Sequence, residues 1–421
     1  MATEGPFLAA IIARLPDPTV NLAAYGVAFA LAILIEAPVI MLMSASTSLV
    51  RDRVTYLKLR NFARFLGVAT TGLLLAVLIP SVYRWLTGTV LGLPPEVADL
   101  TYGALWFFLP WPAAIAYRRF LQGVLIRAGK TRLVAWGTLI RLFGMVIAAL
   151  AGFFVLDLPG AWVGGLALGT GVTVEAIAAR FMAASSVRDL LEGKGDLEVR
   201  GRNVTYRDIA KFYFPLALTS FIGLSIQPLL TFFMGRSIAP LESLAVFPVV
   251  HALSFFFRSM GLALQDTAIA LMGERFTHLP ELKKFALGLG LATSTGLALV
   301  AFTPLSRLWF ETVSGLTSEL ASFALTPTQV IVPLPFLAVL LSLQRAILVE
   351  GRKTHYITVA SALEVGCVAV LFILLGFRLD LVGATAAFGA FMGARLVSVS
   401  YLLVRCRSVL RDAPASTPRG A

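Results

Sequence analysis

PDPTVNLAAYGVAFALAILIEAPVIMLMSASTSLVRDR, residues 16–53, and IAPLESLAVFPVVHALSFFFRSMGLALQDTAIALMGER, residues 238–275, are two versions of one segment. Laid over each other at an offset of 222, Pro18 falls on Pro240, Leu22-Ala23 on Leu244-Ala245, and Asp52-Arg53 on Glu274-Arg275. In the first version, Glu36 is the lone charge between Asp17 and Arg51; in the second, Arg258 and Asp266 are the charges between Glu242 and Glu274. A bilayer-spanning helix needs roughly 20 predominantly apolar residues, and each segment supplies more. The same register continues outward. Pro6 matches Pro228, Leu121-Gln122 matches Leu343-Gln344, Gly129 matches Gly351, and Gly144 matches Gly366. At 223, Pro110-Trp-Pro112 meets Pro333-Leu-Pro335, and Leu156-Asp-Leu meets Leu379-Asp-Leu. Apolar helices share letters by chance, but prolines, glycines and loop carboxylates in one register do not.

The whole chain has this character. Of its 421 residues, 58% are hydrophobic and 14% charged, against about 25% charged in soluble domains. Mean hydropathy is +0.85. Lipid leaves no partner for open backbone groups, so repeated spans must be helical. The expected fold is an all-α polytopic membrane protein of about 12 transmembrane helices, arranged as two parallel six-helix repeats. The expected spans are 1–15, 20–48, 60–88, 97–127, 131–156 and 159–187, then 206–236, 240–272, 280–309, 317–349, 353–377 and 380–405. The extended polar stretch RDLLEGKGDLEVRGRNVTYRD, 188–208, divides the halves. The expected organisation is an N-terminal bundle over 1–187, a cytoplasmic linker over 188–205, a C-terminal bundle over 206–408 and a cytoplasmic tail over 409–421. KFYFPLALTSFIGL, 211–224, has no counterpart in the first half, so the first helix is expected to be truncated at an internal start. Met1 to Gly5 lack the positive n-region of a signal peptide.

A net charge of +12 raises nucleic acid as a partner, but its placement argues against it. Lys and Arg cluster around 51–64, 118–132, 180–211, 275–284, 345–353 and 405–419, after every second span. That is the positive-inside pattern. It places the protein in the cytoplasmic (inner) membrane with both termini cytoplasmic. Cys367 and Cys406 stand far apart and suggest neither a disulfide framework nor a metal site. No cofactor is expected. HExxH, DDxxD and GxSxG are absent, and His278 and His355 read as solvated loop residues, so an enzyme is disfavoured, as is a channel or scaffold.

The motifs LAAYGVAFAL (22–31), RDR (51–53), FYFPLAL (212–218), ESLAV (242–246), and FFLPWP with GKT (107–131) carry a resemblance. The chain resembles the multidrug/oligosaccharide-lipid/polysaccharide (MOP) flippase superfamily. It is MATE-like, and most similar to the progressive ankylosis (ANK) pyrophosphate-export family. The resemblance implies a secondary active transporter that exports or flips an organic or phosphorylated anion, or an amphipathic solute, by alternating access. The alternatives are a cation/drug antiporter and a lipid-linked oligosaccharide flippase of the same fold. Cation antiporters of the superfamily carry a carboxylate in the first or seventh span; here those spans offer Glu4 and Gln227. The implied partners are a small-molecule or lipid-linked solute and membrane lipids, with a monomer the simplest assembly.

A charge at mid-membrane costs on the order of 2.5–3.5 kcal/mol on insertion scales and normally faces protein or a wet cavity. The candidates are Glu36, Arg141, Glu175, His251, Arg258, Gln265, Asp266, Glu364 and Arg395. His251, Arg258 and Gln265 are seven apart, nearly two helical turns, and share one face. That face reads either as an anion-attracting surface, since Arg forks onto phosphate or carboxylate, or as buried structural pairing. Arg141 joins Thr138 in one polar patch, and Glu364 joins Ser361 and Thr358 in another. Gln122 and Gln344 read as interhelical hydrogen bonders. Pro38, Pro80, Pro110, Pro112, Pro228, Pro248, Pro333 and Pro335 are expected to kink their helices. Gly160, Gly164, Gly165 and Gly169 read as close helix packing rather than a nucleotide loop.

Glu36 and Arg258 are repeat equivalents, which suggests a gate pair; the competing reading pairs each within its own half. If the gate exists, Glu36→Arg combined with Arg258→Glu restores the transport that each single reversal loses. A double variant as inactive as the singles contradicts it.

Overall fold

A computed structural model describes residues 3–192, 204–272, 276–351 and 353–412. Among these residues the chain is helical throughout, and its β content is a single bridge between Ile238 and Val382. The first half runs α1 (Glu4–Ile12), α2 (Pro18–Glu36), α3 (Leu42–Leu49), α4 (Arg53–Val77), α5 (Pro80–Arg84), α6 (Pro95–Phe107), α7 (Trp111–Arg127), α8 (Thr131–Phe154), α9 (Gly160–Met182) and α10 (Ala184–Leu191). The second runs α11 (Tyr206–Leu224), α12 (Ile226–Met234), α13 (Pro240–Leu271), α14 (Leu279–Phe302), α15 (Leu305–Arg307), α16 (Ser318–Val330), α17 (Leu334–Glu350), α18 (His355–Phe372) and α19 (Gly383–Asp412). Eight helical stretches are long and apolar enough to cross a membrane, and ten when each bent pair counts as one span. α1 is too short to be counted. The bent pairs are α4 with the segment Pro80–Leu91 and α16 with α17.

Prolines set most of the breaks, as the missing N–H requires. Pro38 lies in the 3₁₀ turn Ala37–Val39 between α2 and α3. Pro110 and Pro112 flank the start of α7, and Pro333 and Pro335 the start of α17. Pro80 opens α5, where the path turns by 70° from α4. Pro248 departs from this pattern: it lies inside α13, which runs on through it. Helix starts are fixed locally. Asp52 accepts from Thr55 N at 2.7 Å while Thr55 Oγ1 accepts from Asp52 N at 3.1 Å, a reciprocal cap. Thr205 and Asp208 repeat the device at α11.

The internal repeat reaches down to single backbone angles. Asp17 (φ 51°) and Ala239 (φ 52°) precede α2 and α13 in the same left-handed conformation, and Asp157 and Asp380 share φ 50°. That region costs a non-glycine residue roughly 1–2 kcal/mol, so its recurrence marks a geometry that each half requires. Asn21 Oδ1 accepts from Ala161 N at 2.9 Å, and Ser243 Oγ accepts from the equivalent Ala384 N at 3.0 Å. The π-helical turns Trp85–Leu91 and Leu308–Val313 are followed, directly and after Ser314, by equivalent positive-φ glycines, Gly92 and Gly315. α1 and α12 are equivalent over their full lengths, which leaves α11 as the element without a partner in the first half.

Two compact units result. Unit 1 runs from Ile11 to Phe232. Unit 2 runs from Phe233 to the C-terminus and includes the start of the chain up to Ala10. The two crossing points are 222 residues apart and therefore repeat equivalents. Most of the linker, 193–203, and the tail beyond Asp412 lie outside the described residues.

In unit 1 the glycines of α9 allow two helices to approach it. A Cβ on Gly164 would lie 2.5 Å from Tyr25 Cδ2 of α2, and one on Gly169 would lie 2.3 Å from the Phe107 carbonyl of α6. These are packing contacts, as the small-residue spacing predicts. Gly169→Ala forces backbone apart and should cost about 1–3 kcal/mol, read as a lower melting temperature of the detergent-solubilised protein. Gly72→Ala, with no atom within 4 Å of the added methyl, should leave it unchanged. Equal melting temperatures for both contradict the packing.

Candidate functional site

α7 carries Arg118, Arg119 and Gln122 around one turn, and its neighbours α8 and α9 supply Arg141 and Glu175. Glu175 has no exposed surface. It accepts from Arg118 Nη1, and from Gln122 Nε2 at 3.1 Å, while Arg141 Nε stands 3.5 Å away. One carboxylate thus serves two guanidiniums and an amide. Glu36, at the end of α2 beside the Pro38 break, accepts from the indole N–H of Trp111. It lies in the fields of Arg118, Arg119 and Arg141. Tyr213 of α11 donates to the Pro38 carbonyl at 2.5 Å, so a neighbouring helix caps the carbonyl at this break.

Unit 2 holds a second cluster on α13, α17, α18 and α19. Arg395 Nη2 pairs with Glu364 at 2.8 Å. Arg258, 8% exposed, has its Nη2 3.4 Å from His251 Nε2. Arg258 and Arg345 both lie within the fields of Arg395 and Glu364. Rings line this cluster. Phe388, Phe247, His251 and Phe255 follow one another with centroids 5.1, 5.8 and 6.4 Å apart. Arg258 then lies over Phe255 and Phe391, and Arg395 over Phe391. Tyr25 and Phe29 of unit 1, equivalents of Phe247 and His251, also stack, at 6.0 Å.

The sequence-predicted residues therefore sort into local groups. Arg141 and Glu175 meet in unit 1. His251 meets Arg258, and Glu364 meets Arg395, in unit 2. Glu36 has Trp111 as its partner. Gln265 is half-buried on α13, one heptad beyond Arg258, and the side chain of Asp266 lies outside the described residues. Gln344 donates to the Val399 carbonyl at 3.0 Å, bonding between helices as expected, and Ser361 bonds back to the Ile357 carbonyl. One reading needs correction. Arg118, Arg119 and Arg345 belong to basic clusters assigned to membrane boundaries, but they occupy helix interiors, and Arg118 is 2% exposed. The missed signal was Arg118 with Gln122 at i and i+4, one face of α7 pointing at Glu175.

Two positions carry opposite charge in the two units. At 222 Glu36 stands where unit 2 has Arg258, and at 223, the offset that relates α7 (Trp111–Arg127) to α17 (Leu334–Glu350), Arg141 stands where unit 2 has Glu364. Glu175 has a serine, Ser398, as its counterpart, so unit 2 lacks the carboxylate on which unit 1 relies. Among the described residues no three His, Cys, Asp or Glu side chains group as a metal site.

Glu175→Gln keeps the shape and removes the charge that Arg118 and Arg141 share. Breaking a buried pair on one side costs about 3–5 kcal/mol. The variant should show a clearly lower melting temperature in detergent; a wild-type melting curve contradicts the structural role given to Glu175.

No family model matches the sequence, and no curated protein matches it. Solved structures do. A multidrug-resistance MATE family transporter in an inward-facing conformation superposes with a TM-score of 0.75 at 15% identity, covering 98% of this chain and 96% of that one. The lipid II flippase MurJ, in an inward closed conformation, gives 0.71 at 16% identity, covering 97% and 87%. A MOP superfamily transporter from Pyrococcus furiosus, described as having a binding pocket of reversed polarity, gives 0.60 at 12% identity, covering 99% and 96%. Over nearly its entire length this chain has the all-helical, internally repeated fold of the MATE and MurJ transporters of the MOP superfamily.

Proposed function

We propose that the protein is a secondary active transporter that exports or flips an organic or phosphorylated anion by exchanging between inward- and outward-open states. The observation that carries this reading is the excess of arginine over carboxylate in its buried clusters. In unit 2, Arg258, Arg345 and Arg395 accompany Glu364. In unit 1, Arg118, Arg119 and Arg141 accompany Glu36 and Glu175. Guanidinium stays charged at any working pH and forks onto phosphate or carboxylate oxygens. Apolar surroundings make uncompensated positive charge costly, and an anionic solute offsets that cost. Excess guanidinium charge repels organic cations, which separates this reading from cation/drug antiport. The site residues on this proposal are Glu36, Arg141, Glu175, His251, Arg258, Gln265, Asp266, Glu364 and Arg395, with Arg118, Arg119 and Arg345 added. The six-span repeats over 1–187 and 206–408 serve as the transport halves, in a cytoplasmic membrane with both termini cytoplasmic.

A lipid-linked anion is the second reading, favoured by the superposition on MurJ. Lipid-linked substrates also present phosphate, so the arginines serve either, and the assay distinguishes them. In proteoliposomes the anion reading predicts saturable uptake of labelled pyrophosphate or citrate that unlabelled anion exchanges and cationic dyes leave unaffected. Arg258→Gln should lower that flux at least about tenfold, the loss of roughly 1.4 kcal/mol or more from a charged hydrogen bond, with the melting temperature held. Flipping of a fluorescent polyprenyl diphosphate without soluble-anion uptake selects the second reading. Uptake of cationic dyes alone overturns both.

A further inference from the structure

Two guanidiniums lie near the ring of Phe391 of α19. The Arg258 carbon Cζ lies 5.4 Å from its ring centroid and the Arg395 carbon Cζ 5.2 Å. The ring is 6% exposed, and Phe388 of the same helix stacks on Phe247 of α13 at 5.1 Å, so the helix that carries it is braced against α13. Resting on the proposal of anion transport, we infer that Phe391 is a positioning residue: it holds Arg258 and Arg395 against one ring, so that both reach one anion bearing two or more negative charges.

The chemistry of the ring is what suits it to this task. Two arginines in one buried cluster repel each other, and proteins ordinarily relieve that repulsion with a carboxylate between them. Unit 1 takes that route, with Glu175 serving Arg118 and Arg141. A carboxylate at that place occupies the donors an incoming anion would need. An aromatic ring attracts a cation at its face through the quadrupole but carries no charge and accepts no strong hydrogen bond. It therefore fixes two guanidiniums without itself taking a hydrogen-bond donor from either. Glu364 is the carboxylate paired in this cluster and it takes Arg395. His251 is the near neighbour of Arg258 and is itself stacked between Phe247 and Phe255. The Nε atom of Arg258, and that of Arg345, has no hydrogen-bond partner among the described residues. Without the ring, Arg258 and Arg395 are free to separate, and the paired donors are lost although both charges remain.

The test is pyrophosphate binding to the detergent-solubilised full chain by calorimetry, alongside pyrophosphate uptake in proteoliposomes. Phe391→Leu should raise the Kd about tenfold, the loss expected when a desolvated cation–π contact is removed. KM for uptake should rise in step while kcat holds. Phe391→Tyr keeps the ring face and should stay within about twofold of wild type on the same scale. If Phe391→Leu does not yield folded protein, Phe391→Met, closer in volume, carries the same expectation. Wild-type affinity in the leucine and methionine variants overturns the inference, as does a tyrosine variant as weak as the leucine one, which shows a role in packing alone. Wild-type protein that binds no pyrophosphate overturns the anion reading itself and this inference with it; binding that is insensitive to Phe391 overturns only the latter.

Discussion

Glu175, sealed from solvent between α7, α8 and α9, is the point on which unit 1 is organised. Its two oxygens gather Arg118, Arg141 and Gln122 from two other helices. An ion in an apolar interior is tolerated when it is paired and its remaining donors and acceptors are satisfied. Each of these helices therefore has a fixed rotation about its axis, because turning any of them would strand a charge. The glycines of α9 complete the arrangement by letting α2 and α6 approach its backbone.

Unit 2 solves the same problem differently. The repeat gives it an arginine where unit 1 has Glu36, a glutamate where unit 1 has Arg141 and a serine where unit 1 has Glu175. Its arginines are held by a column of rings and one carboxylate instead of by a shared counter-ion. Duplication supplied two copies of one scaffold, down to the left-handed residues at 17 and 239. Unit 1 sets the two carboxylates Glu36 and Glu175 against Arg118, Arg119 and Arg141, whereas unit 2 sets Glu364 alone against Arg258, Arg345 and Arg395. That asymmetry is what supports the proposal of an anionic solute.

Much of the fold was legible in the sequence because its cause is local. Apolar runs long enough for a bilayer and prolines that break helices act through nearby residues, the 222-residue register repeats those local signals in the second half, and the helices fall where these signals put them. Pro248 shows the limit: α13 runs through it, and proline alone does not say whether a helix bends. The site was legible in part. His251 and Arg258 share a face by spacing alone, and they meet. The pairing of Arg141 with Glu175 and of Glu364 with Arg395 depends on which helices pack together, which no single-helix pattern states. Arg118 and Arg345 were hidden for a further reason. A basic residue near a helix end reads as a membrane boundary, and only the burial of Arg118 at 2% exposure shows otherwise.

On the proposed reading, the face of α13 bearing His251, Arg258 and Gln265 meets water and an anionic solute, not lipid. With Cys367 and Cys406 replaced, Gln265→Cys in intact proteoliposomes should react with a charged, membrane-impermeant thiol reagent, and pyrophosphate should slow that reaction. Labelling only by a lipid-soluble maleimide, at a rate pyrophosphate does not change, would place the face against acyl chains or sealed protein and contradict the account.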